Sequence, residues 1–363
     1  MKLIRTFHPI GQGAFYTERY NFRKDDFTIV YDCGSLTFRE KKMEKRIKST
    51  FPKNHSIDIL FISHFHADHI NGIEILAKHC KIKKVIMPLI DDQAKILVKV
   101  ANLIGANFSD TRLIDSPEDI FGDIPIIRID STEINPNFDG VSLDNPTDIS
   151  KIGSSTINQS GIVFTPISGV DWFFIPFNYK HGERKNQFVD ALKTHGLTFD
   201  KIDTINKINK NKDNIIKAYN KVDGDLNENS MILYSGKNSD DPIHCFDYNH
   251  HLYLHRHFHL NFQSGCLYMG DIDLNAPNIV SDIEAKLRPL LPYIGTLQVP
   301  HHGSIHNFNN SIVLKSIHCA IFSYGTTNSF GHPSDRVIGN IISNNIYPHH
   351  VTEKQESIII QWK

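Results

Sequence analysis

Four of the six residues in His64-Phe65-His66-Ala67-Asp68-His69 are of metal-ligand type. Imidazole nitrogens and a carboxylate together suit zinc, iron or manganese. The run follows Ile57-Asp58-Ile59-Leu60-Phe61-Ile62-Ser63, whose apolar character fits a strand buried on both faces. It precedes Ile70–His79, where Ile73, Leu76 and Ala77 recur at helical spacing. Ligands packed into a strand-to-helix turn can point two ways, His64 and His66 toward one ion, Asp68 and His69 toward a second. A solvated polar turn is the plain alternative, since His and Asp both occur in loops. It does not account for ligand types filling most of the run.

Two further segments end in ligand-type residues. Cys266-Leu267-Tyr268-Met269-Gly270-Asp271 reads as a strand closing on an aspartate. Leu297-Gln298-Val299-Pro300-His301-His302-Gly303-Ser304 reads as a strand closing on two histidines. Alone, an aspartate after a strand is a turn residue or helix cap as readily as a ligand. Three such strand ends in one chain are another matter, because α/β folds gather ligands there. The chemistry in view is acidification of water by paired divalent ions, hence hydrolysis.

The elements that must position these residues alternate along the chain. Phe27–Tyr31 is a strand ending at Asp32-Cys33-Gly34, Lys84–Met87 the next strand, and Asp91–Asn102 a helix. Residues 121–229 are less regular, with Pro, Asn, Asp, Ser and Gly crowding Asn135–Ser160. Val163–Asn178 holds two aromatic-rich strands, and Glu183–Thr194 and Ile205–Tyr219 are helical. This region reads as an insertion at one edge of a single domain spanning 1–363, with a second insertion at about 236–263. Strands return at Met231–Tyr234, Cys266–Met269 and Leu297–Val299, and the chain closes with a helix over Asp335–Ser343 and a strand over Ser357–Trp362. Two facing sheets with helices outside accommodate this α/β pattern.

Composition narrows the class. With 39 basic against 40 acidic residues among 363, the chain has no charge surplus for sequence-independent DNA coating, although a local groove remains open to nucleic acid. Five scattered cysteines without a CxxC pair read as reduced thiols. The N-terminus lacks the apolar stretch of a secretory signal, and no run is long enough to cross a bilayer. A cytoplasmic protein without a membrane partner is expected.

The motif set resembles the metallo-β-lactamase superfamily, and the resemblance implies its αββα four-layer sandwich with an inserted region. His64-x-His66-x-Asp68-His69 matches the central motif, and Asp32 the aspartate that supports the site. By that resemblance His64, His66 and Asp271 bind one ion, while Asp68, His69, Asp271 and His301 bind the other. Asp68 would also orient the attacking hydroxide.

A narrower resemblance is to the metallo-β-lactamase-like domain of the DNA-uptake competence protein ComEC. It rests on Gly11-Gln12-Gly13, Asn229-Ser230, Pro300-His301-His302-Gly303-Ser304, Tyr324-Gly325, Asn328 and Gly331-His332-Pro333, which run in the family's order. That family's membrane channel is missing, so the chain looks like a stand-alone relative. Asn229, Ser230, His302, Ser304 and Asn328 then support the ligands or face substrate, and His332 contacts an anionic substrate or protonates a leaving group. Many superfamily members place a His before the strand leading to the bridging aspartate. Here Asp225-Leu226-Asn227-Glu228-Asn229-Ser230 has none, as in the ComEC-like group, so the first site is expected to be incomplete.

The reading is a hydrolase with two divalent ions, zinc or manganese, cleaving phosphodiesters in DNA or RNA; the phosphodiester comes from the ComEC resemblance alone. Protein partners in a defence or DNA-processing system are left open. Rival readings are a hydrolase of an ester, lactone, thioester or small phosphodiester, and a metal-binding regulatory module of little activity. Three secondary features have duller explanations. His255, His257 and His259 alternate on one face of a strand and read as the solvated side of an inserted hairpin. Trp172-Phe173-Phe174 suits a core better than base stacking, and Lys207–Lys212 a solvated stretch better than a phosphate track.

Overall fold

A computed structural model describes residues 1–22, 25–180, 183–222, 229–247 and 262–363. The histidine-bearing segment 255–259 and the His-free stretch 225–228 lie outside them. Among the described residues, one sheet of ten strands runs in the order Thr156–Asn158, Ile126–Ile129, Val85–Pro88, Ile59–Phe61, Asp25–Ser35, Gly13–Phe22, Lys2–Phe7, Ile359–Trp362, Pro242–Asp247 and Phe262–Gln263. A second of eight runs Tyr347–Val351, Cys319–Ser323, Ile294–Gln298, Gly265–Tyr268, Asn229–Gly236, Phe173–Lys180, Phe164–Thr165 and Thr147–Asp148.

Period-two alternation explains the layering. On the first sheet Ile29, Tyr31, Ile59, Phe61, Ile86 and Ile127 enter the inter-sheet core, where Met231, Leu233, Cys266, Tyr268 and Ile321 of the second sheet meet them. Their neighbours Val30, Leu60, Val85 and Ile126 pack outward against Met43, Ile47, Ile73 and Leu76 of the helices Glu40–Thr50 and Ile73–His79. Ile232, Leu267, Leu297 and Ala320 pack outward on the other side, under Ile279, Ile283, Val337 and Ile341 of the helices Ile279–Lys286 and Asp335–Ser343. The result is helix, sheet, sheet, helix.

Residues 126–180 are woven into both sheets. Ile126–Ile129 pairs in parallel with Val85–Pro88, and Phe173–Lys180 runs antiparallel to the whole of Asn229–Gly236. Trp172 and Phe174 are buried in the inter-sheet core, with Trp172 Nε1 donating to Ser235 Oγ at 3.0 Å, so they stack no base. The helices Glu183–Lys193, Ile205–Lys210 and Lys212–Tyr219 form a separate small core on the helix Asp92–Gly105, and Lys207 on the exposed side binds Asp203.

A buried ionic knot ties the first sheet to the second. Arg5 Nε lies 2.5 Å from Glu18 Oε1 with both side chains fully buried, and Tyr20, Ser235 and Tyr268 also donate to that carboxylate. Removing one partner of such a pair strands the other charge and costs about 3–5 kcal/mol. Glu18→Ala should therefore lower unfolding free energy by about that amount in denaturant titration. A change below about 1 kcal/mol would show that solvent reaches Arg5 once the carboxylate is gone.

Candidate metal centre

The three ligand-bearing turns meet at one end of the sandwich. Two glycines make room for the central one: a Cβ on Gly34 would lie 2.5 Å from the His69 carbonyl carbon, and one on Gly13 would lie 2.5 Å from the Asp68 carbonyl oxygen. Asn102 anchors the same turn, its Oδ1 accepting from Ala67 N–H and its Nδ2 donating to Phe65 O, both at 2.9 Å. Asp32, in the left-handed region at φ 56°, accepts from Ser63 N–H at 2.7 Å and Ser63 Oγ–H at 2.6 Å. Its Oδ2 also sits 2.8 Å from His69 Nδ1, which turns Nε2 toward the centre. Non-glycine residues in that region are costly and cluster at functional sites.

Asp271 lies between two groups. Its Oδ2 is 3.5 Å from His64 Nε2 and 3.9 Å from His301 Nε2, while its Oδ1 is 3.2 Å from His69 Nε2. Donor atoms of His64, His66 and Asp271 fall within 4.8 Å of one another, as do those of Asp68, His69 and His302. The histidine pair is thus placed differently from the sequence reading, which gave the second group His301. His302 Nε2 sits 3.0 Å from Asp68 Oδ2, aimed there by Nδ1 bonding the Ser323 carbonyl at 2.7 Å. His301 is held by Asn307 Oδ1 at 2.8 Å from its Nδ1, with its Nε2 3.9 Å from Asp271 Oδ2 and in neither donor group. The physical reason is the backbone. His301 and His302 both have left-handed φ, 47° and 57°, a tight turn that sets the two rings in different directions, 69° apart in plane.

These residues fit metal ions. His64 Nε2, His69 Nε2 and Asp271 Oδ1 are shut off from solvent without a hydrogen-bond partner, an arrangement that costs free energy unless a cation takes the lone pairs. The carboxylates of the centre make a field that favours positive charge there. Burial disfavours the charged His69 ring, but Asp271, Asp32 and Asp68 outweigh it and hold its pKa well above the usual imidazole value. Burial opposes ionisation of Asp271 too, yet His69, His301 and His64 keep it well below the carboxylate range. His64, buried and next to His69, is pushed down to about 4 and so presents a neutral ring suited to a metal.

A narrow cleft opens over the centre, lined by His66, Asp68, Asp271, His301, Phe330 and His332 among others. Asn328 shapes its rim, with Oδ1 accepting from the backbone N–H of Phe330 and His332 at 3.0 and 3.1 Å, and Nδ2 donating to His332 O at 2.6 Å. The His332 ring stacks on Phe330 and lies 5.4 Å from His301, ring centre to ring centre. Burial, with His301 and His302 nearby, lowers its pKa to about 4, so it is neutral at pH 7.

The remaining expected residues hold the framework. Ser230 Oγ accepts from Asp271 N–H at 3.1 Å, Asn229 opens the strand paired to Lys180, and buried Ser304 donates its N–H to His301 O at 2.9 Å. Asn328 likewise bonds backbone rather than lining the cleft. Sequence reasoning missed Ser63, Asn102, Asn307 and Gln298, whose Oε1 accepts from Met269 and Gly270 N–H at 2.7 and 2.8 Å. Only Ser63, next to the motif, and Gln298, on a ligand-bearing strand, carried any signal.

Residues 20–124 match the sequence model of the metallo-beta-lactamase superfamily. With the four layers and the ligands at one end, the chain has the metallo-beta-lactamase fold. Similar solved structures include the metallo-beta-lactamase fold protein YhfI from Bacillus subtilis, at 8% identity and TM-score 0.40, covering 99% of this chain and 100% of that one. The subclass B3 enzyme MEM-A1 from a soil metagenome library is 10% identical with TM-score 0.30, covering 82% and 79%. No curated protein matches the chain. Among the described residues no helix is long and apolar enough to cross a membrane.

Proposed function

We propose that this protein is a metal-dependent hydrolase of phosphodiesters, acting on DNA or RNA. The observation that carries the hydrolase reading is the pair of ligand groups flanking Asp271 at the floor of an open cleft. His64, His66 and Asp271, with His301 beside them, would hold one divalent ion, zinc or manganese. Asp68, His69 and His302, with Asp271 Oδ1, would hold the other. His301 Nε2, 3.9 Å from the same Asp271 Oδ2 that lies 3.5 Å from His64, would be the donor where the sequence pattern leaves the first site short. When bound, such ions acidify water and neutralise developing anionic charge.

The chain's own groups do the rest. Asp68 lines the cleft, His302 holds its Oδ2, and the other carboxylate oxygen is the acceptor for a proton from the attacking water. His332 meets substrate as a neutral ring. The negative charge of an incoming phosphodiester favours the protonated ring, so that His332 can take a proton from solvent and give it to the leaving oxygen. The Asn328 bonds to both sides of the His332 backbone fix where that proton is delivered. The phosphodiester part of the reading draws on the ComEC resemblance alone. Labelled single- and double-stranded DNA and RNA, supplied with Mn²⁺, Zn²⁺ or Mg²⁺, provide the test. Cleavage of at least one is expected. Intact nucleic acid throughout, with lactones or thioesters hydrolysed, would hand the fold to the rival ester chemistry.

A further inference from the structure

A third set of soft donors lies away from the cleft, between the sheets. Cys319 opens the strand Cys319–Ser323, and the neighbouring strand Tyr347–Val351 pairs Tyr347 with Cys319 and His349 with Ile321. Cys319, Ile321 and Val351 belong to the inter-sheet core, and His349, two residues from Val351, shares its face and is buried. Cys245 reaches the same core from the first sheet, on the strand Pro242–Asp247. The two sulfurs and a ring nitrogen of His349 lie within 4.8 Å of one another, and Cys245 Sγ is 3.9 Å from His349 Nε2.

A buried cysteine by itself is an ordinary apolar core residue. This cluster differs because three strands from both sheets converge on one point with two sulfurs and an imidazole. Zinc bonds of about 2.3 Å to sulfur and about 2.0 Å to nitrogen, at tetrahedral angles, put neighbouring donors roughly 3.5–3.8 Å apart. The observed sulfur-to-nitrogen distance needs only a slight contraction to meet that range. Thiolate with imidazole selects a soft or borderline ion, whereas the cleft offers nitrogen and oxygen alone.

We propose that Cys245, Cys319 and His349 bind a zinc ion that clamps the margins of the two sheets, separately from the hydrolytic centre. Binding converts both thiols to thiolates and releases two protons to solvent, with no change of oxidation state. The three residues occupy three corners of the tetrahedron, leaving one for a further donor.

Cobalt substitution reads this site by itself, because only a sulfur ligand gives an intense thiolate-to-cobalt charge-transfer band. The full chain, stripped with chelator and reloaded with Co²⁺, should show that band. Cys245→Ser and Cys319→Ser should each lose most of it, and each should carry about one zinc equivalent less than wild type. A wild-type spectrum with only the weak bands of nitrogen and oxygen ligation overturns the proposal, whether or not either variant folds. So does a band surviving in both variants. Titrating thiols in denatured protein settles the remaining case: five are expected, and three would mean that two cysteines are oxidised to a disulfide instead.

Discussion

Asp271→Asn should strip metal from both hydrolytic groups at once. The carboxylate places Oδ2 toward His64 and His301 and Oδ1 toward His69, so both groups depend on it. Asparagine keeps the volume but loses the charge, and its amide nitrogen is no ligand. Removing a residue that merely supports a metal ligand costs about 10- to 100-fold in affinity or activity. Loss of the shared carboxylate should exceed that. Elemental analysis should show up to two equivalents fewer than wild type in folded protein. Full metal content together with full activity in the variant would mean that Asp271 bridges nothing.

His332→Ala should separate chemistry from metal binding. The ring lines the cleft, but it belongs to neither ligand group, and its backbone is held by Asn328 whatever the side chain. Metal content and melting temperature should stay near wild type while turnover falls about 10²- to 10⁴-fold, the usual range for a positioned proton donor. A substrate with a very good leaving group needs no proton and should suffer far less. Equal losses on good and poor leaving groups would make His332 an electrostatic clamp. No loss on either would leave it as a structural part of the rim.

The centre was largely legible because its chemistry is written locally. Ligand types crowd His64–His69, and Asp271 ends an apolar strand, so spacing and element ends locate them without tertiary information. Which of His301 and His302 faces Asp68 was not legible: it follows from the path of the turn and from the Ser323 carbonyl that orients His302, neither of which residue identity encodes. The partners Asn102 and Asn307 were hidden for a related reason. An asparagine on a helix or in a turn has many uses, and only the fold brings these two to the motif.

The layered fold was readable from alternation, with the weakest reading at residues 126–180. Strands of two to four residues such as Phe164–Thr165 and Ile126–Ile129 are too short to show a period, and the Pro- and Asn-rich loops between them look like an excursion. Their burial comes from the sheets they complete. The Arg5–Glu18 knot was equally silent, since a charged pair spaced thirteen residues apart on two strands looks like any pair of solvated side chains.

Bis-p-nitrophenyl phosphate tests most directly whether the protein is a hydrolase that needs metal in the cleft. Purified protein should cleave it with Mn²⁺ or Zn²⁺, lose the activity on chelation, and regain it when the ion is restored. A folded, metal-loaded protein that leaves this phosphodiester untouched under every ion, or cleaves it equally well in chelator, would contradict the account.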